Sequence, residues 1–431
     1  MNVFYWIYLS LSSLLTICFI PLILLFVCLT GRYKQLVFQR LGIYNRKLTR
    51  TQKNRIWLHA VSVGEVNAAR AIIDALFEMD SGLDIVLSTT TPKGYEIAQQ
   101  LVGPRIQCIY SPIDFFVSIR LAFYEIHPTV LVLLETEIWP NWIFTASALN
   151  VPVVIINGRI SERTIAGFKK FNSLVRFIVQ KVSAFSMIAE TDAKRIRKIG
   201  ALPENVYISG NAKFDLLANI YCPKLPDQLR KKLNIQSNTF VLVAGSTRTG
   251  EEEKVLEAFR NIIKEFPDAL CFIAPRHIER SCSVEYEIKQ NGFTVDRLSF
   301  CKKNGQRSAS VVLIDTIGDL AGLYSIASVV FCGGSLVPKG GQNVLEPAVW
   351  GKPVIYGPFM DDFLWAKELL ESKSGGIMVN DSFELSKTVV TFAREPKKAK
   401  KTGANARMAV LQKSGAALKH AQIVINALPK K

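Results

Sequence analysis

From residue 56 onward the chain alternates between two hydrophobic patterns. Short apolar runs rich in Val, Ile and Leu end in glycine or polar residues, and each is followed by a stretch with apolar positions at helical spacing. The runs cover residues 56–61, 84–88, 129–134, 151–156, 186–189 and 206–209, then 240–244, 269–274, 311–314, 328–331 and 353–356. A run that is apolar at every position has both faces covered, as a buried parallel strand does, and the intervening stretches read as crossover helices. The series pauses at 220–226, where Pro223 and Pro226 stand close together. The pattern predicts an α/β protein of two doubly wound, Rossmann-like domains facing a cleft. Their boundaries are placed at 56–219 and 235–431, with a linker over 220–234.

The first 31 residues follow neither pattern. They hold no charged side chain, and Trp6, Leu14, Ile20 and Leu25 typify the run. At 1.5 Å per residue about 20 apolar residues cross a bilayer core, so 1–31 reads as a transmembrane anchor. No short apolar stretch with a small-residue cleavage site is evident, which favours an uncleaved anchor. A buried core helix is the alternative. Residues 32–55 then carry Arg32, Lys34, Arg40, Arg46, Lys47, Arg50, Lys53 and Arg55 with no acid. Positive charge behind the anchor predicts a single pass with the remaining chain on the cytoplasmic side of the membrane.

Over 431 residues the chain has 53 Lys and Arg against 36 Asp and Glu, a net charge of +17. Half of it is hydrophobic, which excludes a disordered chain. The charge asks for an anionic partner: nucleic acid, an anionic membrane or a phosphorylated substrate. No helix-turn-helix, zinc-finger spacing or aromatic RNA-binding string occurs, so nucleic acid is not expected. A second basic group, Arg159, Arg163, Lys169, Lys170, Arg176 and Lys181, is opposed only by Glu162. It reads as a site for acceptor phosphates or lipid headgroups, or as a solvated helix face. The eight cysteines are scattered without CxxC spacing and fit a reducing compartment, with no structural metal expected.

In doubly wound sheets ligands bind beyond the carboxyl ends of the strands. After the first run comes His59-Ala-Val-Ser-Val-Gly-Glu65, which sets Glu65 at a helix start. There it serves as a general base for an acceptor hydroxyl, or merely complements the helix dipole. Glu135-Thr-Glu-Ile-Trp-Pro-Asn141 follows the 129–134 run, and Gly210-Asn-Ala-Lys213 the last run of that half. Lys213 is a point charge suited to phosphate or carboxylate.

The second half offers anion-binding loops. Ala244-Gly-Ser-Thr-Arg248 leads into a helix near Glu251, whose free amides suit phosphate. Pro275 and Arg276 follow the second run, and Ile317, Gly318 and Asp319 a later one. The strongest string is Gly333-Gly-Ser-Leu-Val-Pro-Lys-Gly-Gly-Gln-Asn-Val-Leu-Glu-Pro347. Within it Asn343 and Glu346 have capping-box spacing, and Glu346 also suits ribose hydroxyls. Asp361-Asp362 reads as a helix opening more readily than as a metal pair.

These strings, in this order and over essentially the whole chain, resemble the 3-deoxy-D-manno-octulosonic acid (Kdo) transferases. The resemblance implies a glycosyltransferase-B fold and inverting transfer of one or more Kdo residues from CMP-Kdo to a lipid A precursor in lipopolysaccharide synthesis. It implies Glu65 as general base, with Glu135 and Lys213 as transition-state stabilisers. It places CMP against Pro275, Arg276, Ile317, Gly318, Asp319, Asn343, Val344, Leu345 and Glu346. Because CMP leaves as an anion, basic side chains and helix starts suffice, and neither metal nor cofactor is expected. Gln342 and Phe359 stand where the family pattern has His. The rivals are a UDP-hexose transferase of the same architecture and a membrane-tethered nucleic-acid binder.

Overall fold

The computed structural model describes residues 3–31, 34–44, 54–169, 171–304 and 307–429. Arg32, Arg46, Lys47, Arg50, Lys53 and Lys170 lie outside the described residues. The chain forms two compact units, one running to Leu216 and joined by the residues from Ser414 on, the other spanning Leu217–Lys413.

The first unit is built on a parallel sheet of β1 (Arg55–His59), β2 (Asp84–Thr89), β3 (Ile106–Tyr110), β4 (Val130–Leu134), β5 (Val153–Gly158), β6 (Ala184–Met187) and β7 (Val206–Ile208). Their order is β3-β2-β1-β4-β5-β6-β7. The register sets Trp57 between Val86 and Leu131. Trp57 and Leu131 face one apolar core while Ile56 and Leu58 face another on the opposite side, which is why Ile56, Trp57 and Leu58 are apolar in succession. Truncating such a fully buried Leu costs about 2–5 kcal/mol.

The second unit repeats the scheme with β8 (Val241–Thr247), β9 (Leu270–Pro275), β10 (Val295–Arg297), β11 (Val311–Leu313), β12 (Val329–Cys332), β13 (Val354–Tyr356) and β14 (Gly376–Met378). All are parallel, in the order β10-β11-β9-β8-β12-β13-β14. Each sheet therefore reverses its winding beside its first strand, between β1 and β4 and between β8 and β12. That is where a doubly wound sheet opens a crevice for ligands.

Three details depart from the sequence reading. Strands β3, β10 and β14 had no matching apolar run; each is a sheet edge and none is buried at every position. The 220–234 stretch is more than a linker, because Leu225–Lys232 is a helix with Pro226 in its first turn. Arg230 fastens it to the second unit by donating to the Ile326 carbonyl at 3.0 Å. And the tail does not stay with the second unit. Helix Ala416–Asn426 packs on the first, with Ala417, Ala421 and Val424 in its core.

Val3–Thr30 is one helix of 28 residues, long and apolar enough to cross a membrane, with most large apolar side chains exposed. Its first turns also touch the first unit. Tyr8 donates to Asp114 Oδ2 at 2.5 Å and Tyr5 to Asn141 Oδ1 at 3.2 Å. Past its far end, Arg40 donates to Ser111 Oγ and the Thr90 carbonyl, and Arg55 is buried against Asp84 and the Ile126 carbonyl. Among the described cations behind the anchor, Arg40 and Arg55 thus serve the fold.

Candidate active site

Glu65 lies in the first turn of helix Val63–Met79, directly after β1. Its side chain folds back over the helix start, where Oε2 accepts from the Val61 amide at 2.8 Å and Oε1 from Ser62 Oγ at 3.0 Å. The dipole-complementing role and the base role expected of Glu65 thus call on one carboxylate. Only 7% of Glu65 is exposed. Burial pushes its pKa up to about 7, against the two hydrogen bonds, with the charges of Glu135 and Glu137 adding to the rise. A base titrating near neutrality is both available and strong enough to take a hydroxyl proton.

On the other side of the reversal, β4 is followed directly by Glu135, whose φ of +55° is left-handed and uncommon for a side-chain-bearing residue. Its Oε1 pairs with Lys213 Nζ at 3.1 Å. A Cβ placed on Gly64 would stand 4.0 Å from that same Nζ, so the ammonium sits at the turn leading into Glu65. Glu65, Glu135 and Lys213 are therefore brought together. Glu137 joins them electrostatically; it accepts from Trp139 Nε1, and burial raises its pKa.

Lys213 is positioned by residues that sequence reasoning missed. Asn157 Oδ1 accepts from the Ala212 amide at 3.0 Å. His420, on the returning C-terminal helix, is fully buried and places Nε2 3.0 Å from the Gly210 carbonyl and Nδ1 2.7 Å from Ser186 Oγ. Burial lowers its pKa to about 4, so the ring is neutral in the cell's pH range. Asp215 closes the set by accepting from the Gly415 and Ala417 amides at the start of that helix. Asn157 lies 55 residues from Ala212 and the C-terminal helix 200 or more from its partners, and no local signal marks them.

In the second unit the loops after β8 and β12 are joined by Glu251, which is fully buried. Its carboxylate accepts from the amides of Arg248 (2.9 Å), Gly334 (2.6 Å), Ser335 (3.0 Å) and Leu336 (2.9 Å). The glycine-loop amides at 334–336 are thus taken up by a carboxylate of the chain itself. Gly333 is required by close approach, since a Cβ there would lie 2.6 Å from the Ser246 carbonyl oxygen.

Pro275 ends β9, and Arg276 follows it exposed, with its amide donating to the Thr247 carbonyl. The Arg276 charge reaches Glu346, whose pKa burial raises and Asn343 and Arg276 lower. Asn343 Nδ2 donates to Glu346 Oε1 at 3.0 Å, while Asn343 Oδ1 accepts from the Leu345 amide at 3.1 Å. The capping box is thus altered: the carboxylate takes the Asn343 side chain instead of its backbone N–H, and Val344 and Leu345 are buried beneath. Ile317 is 87% exposed beside Gly318, whose φ is +90°. The Asp319 carboxylate accepts from Lys302 and Thr316, so the loop offers backbone and an apolar side chain. Arg248 adds a cation that the sequence reading did not single out, 2.7 Å from His277 Nε2.

Residues 35–216 match the family described as 3-deoxy-D-manno-octulosonic-acid transferase (kdotransferase). The 3-deoxy-D-manno-octulosonic acid transferase of Haemophilus influenzae is 31% identical over 411 residues, 94% of this chain and 95% of that protein. A bifunctional glycosyltransferase/methyltransferase of Fusobacterium nucleatum is 37% identical over 344 residues, 79% of this chain. This chain spans about half of that relative's length, 53%. Among solved structures, UDP-GlcNAc 2-epimerase from Neisseria meningitidis aligns with a TM-score of 0.54 over 87% of this chain and 99% of that chain. At 12% identity this is a likeness of fold.

Proposed function

The chain belongs to the family of Kdo transferases, glycosyltransferases of lipopolysaccharide synthesis with a glycosyltransferase-B fold, and we propose that it moves Kdo from CMP-Kdo to a lipid A precursor with inversion. The observation that carries the mechanism is Glu65, a buried carboxylate with a pKa of about 7 next to a Lys213–Glu135 pair at a sheet reversal. Glu65 removes the proton of the acceptor hydroxyl as its oxygen attacks the anomeric carbon of Kdo. The bond from that carbon to the phosphate breaks, and its electron pair leaves with CMP. Lys213, held by Glu135, stabilises negative charge that builds in the transition state.

The second unit binds the nucleotide in this reading. Pro275, Arg276, the 317–319 turn and Asn343 to Glu346 all leave the carboxyl ends of parallel strands, as nucleotide sites of doubly wound sheets do. Glu346, with Oε1 on Asn343, offers its other oxygen to ribose hydroxyls. Glu346→Ala is expected to weaken CMP binding by about tenfold or more while thermal unfolding stays cooperative. Titration calorimetry checks this, and unchanged affinity would assign Glu346 to structure alone. Competition of CMP against UDP for donor binding separates this reading from a UDP-hexose transferase.

The acceptor and the membrane belong to the first unit. Arg159, Arg163 and Arg176 are exposed, as phosphate or headgroup ligands must be. The apolar helix attaches the enzyme, and charge places both units on the cytoplasmic face. For a single crossing the Tyr5 and Tyr8 ties must open, because Arg40 is held by the same 111–114 stretch. The two hydrogen bonds contribute about 0.5–3 kcal/mol each, and Tyr5 adds its burial against Phe144, worth about 1.5–3 kcal/mol. Burying a dozen exposed large side chains, each worth about 1.5–3 kcal/mol, outweighs them. Val3→Cys is therefore expected to react with an impermeant maleimide from the periplasmic side. Protection there, with labelling only in inverted vesicles, would mean that the helix enters from one face and returns.

A further inference from the structure

Glu251 is separated from its partners in the glycine loop by more than 80 residues of sequence, yet its carboxylate binds that loop as an anion would be bound. Four backbone N–H groups converge on its two oxygens, at 2.6–3.0 Å. Three of them, from consecutive residues 334–336, form the kind of amide nest that elsewhere holds a phosphate. A buried carboxylate is costly unless its lone pairs are met, and here they are.

The nest is the junction of a larger frame. The Gly334 carbonyl accepts from the Gly341 amide at 2.8 Å, which leads directly into Gln342, Asn343 and Glu346. Ser335 Oγ donates to the Cys332 carbonyl and accepts from the Gly357 amide at 2.8 Å, drawing in the loop after β13. Arg248, whose own amide is one of the four donors, carries a guanidinium out of the same junction toward His277. Ser246, within β8 where its pairing with β9 shifts register, is held at a left-handed φ of +57°. Glu251 thus fixes three strand-end loops at once.

We infer that Glu251 is a positioning residue for donor binding: its carboxylate is a built-in anion that fills the 334–336 amide nest and holds the loops after β8, β12 and β13 in the shape that presents Arg248, Asn343 and Glu346 to the nucleotide. The inference rests on the second unit being the CMP site. Without the carboxylate the nest is vacant, the loop relaxes or captures a stray anion, and the nucleotide ligands lose their alignment.

Calorimetric CMP binding and donor kinetics on the full chain in detergent test it. If the wild-type protein does not bind CMP, the donor-site reading fails whatever Glu251 does. Given wild-type binding, Glu251→Ala is expected to lower CMP affinity and raise donor KM by about 10- to 100-fold, with kcat at saturating donor little changed. A variant that merely lost part of its folded population would show the opposite split, a lower kcat at unchanged KM. Added formate is expected to refill the nest and recover affinity, while chloride at equal ionic strength does not. Glu251→Gln, whose amide hydrogens face the loop N–H groups, is expected to lose affinity without rescue. Wild-type affinity in either folded variant, or a loss in Glu251→Ala that formate leaves untouched, overturns the inference. If Glu251→Ala does not fold, Glu251→Gln decides by its affinity. If neither folds, the carboxylate serves the fold itself and the inference is overturned.

Discussion

Glu65→Gln is expected to lower kcat by about 10²–10⁴-fold while CMP affinity stays at the wild-type value. Gln keeps the shape and can still accept from the Val61 amide, but it cannot take a proton from the acceptor. The same residue sets the pH profile. With a pKa raised to about 7, wild-type kcat/KM for the acceptor should fall about tenfold per pH unit below 7 and level off above it. Stability should run the other way. The native state holds a proton that the unfolded chain, with a carboxyl at 4.5, has already lost between these values. Glu65 therefore lowers stability as pH rises from about 4.5 to about 7. Its contribution is of the order of up to 3 kcal/mol. Glu65→Gln removes that slope, and denaturant unfolding at pH 5 and pH 8 should show the variant gaining on the wild type at the higher pH. Substantial turnover in Glu65→Gln would remove Glu65 as the base.

Lys213→Met is expected to cost about 10²–10³-fold in kcat, the usual effect of deleting one group that stabilises transition-state charge. It carries a second signature. Without the ammonium, Glu135 is left unneutralised among Glu65 and Glu137, and added negative charge favours the protonated form of Glu65. The acid limb of the pH–rate profile should therefore move to higher pH as the rate falls. A full pH profile of Lys213→Met separates this from a lesion in folding, which would lower the whole curve without displacing it.

The sequence pattern located strands where both faces are buried. β4 is apolar along its length, and β1 and β8 are apolar over Ile56–Leu58 and Val241–Ala244, because both faces of the sheet are buried there. β3, with its Ile106-Gln-Cys-Ile-Tyr110 alternation, and β14, with Gly376-Ile-Met378, are edges whose half-exposed positions break the run. The site was legible to the extent that its chemistry is local. Glu65, Glu135 and Lys213 stand directly after strands, and the Asn343–Glu346 spacing foretold their hydrogen bond though not which atoms make it. The supports were hidden, because they are tertiary. Nothing near His420 announces that it will meet Gly210, and Glu251 reads locally as the acidic start of a helix. The basic charge likewise divides only in three dimensions: Arg40 and Arg55 hold the fold, whereas Arg159, Arg163 and Arg176 face outward.

The central claim is Kdo transfer from CMP-Kdo to a lipid A precursor by a Glu65-assisted displacement. Incubating the purified enzyme with CMP-Kdo and a tetraacylated, bisphosphorylated glucosamine disaccharide, then weighing the lipid by mass spectrometry, tests it most directly. The account predicts a product heavier by one or more whole Kdo residues, CMP released in equal number, and both formed far more slowly with Glu65→Gln. An unmodified acceptor with the wild-type enzyme, or a hexose gained when a UDP-sugar is supplied instead, would contradict it.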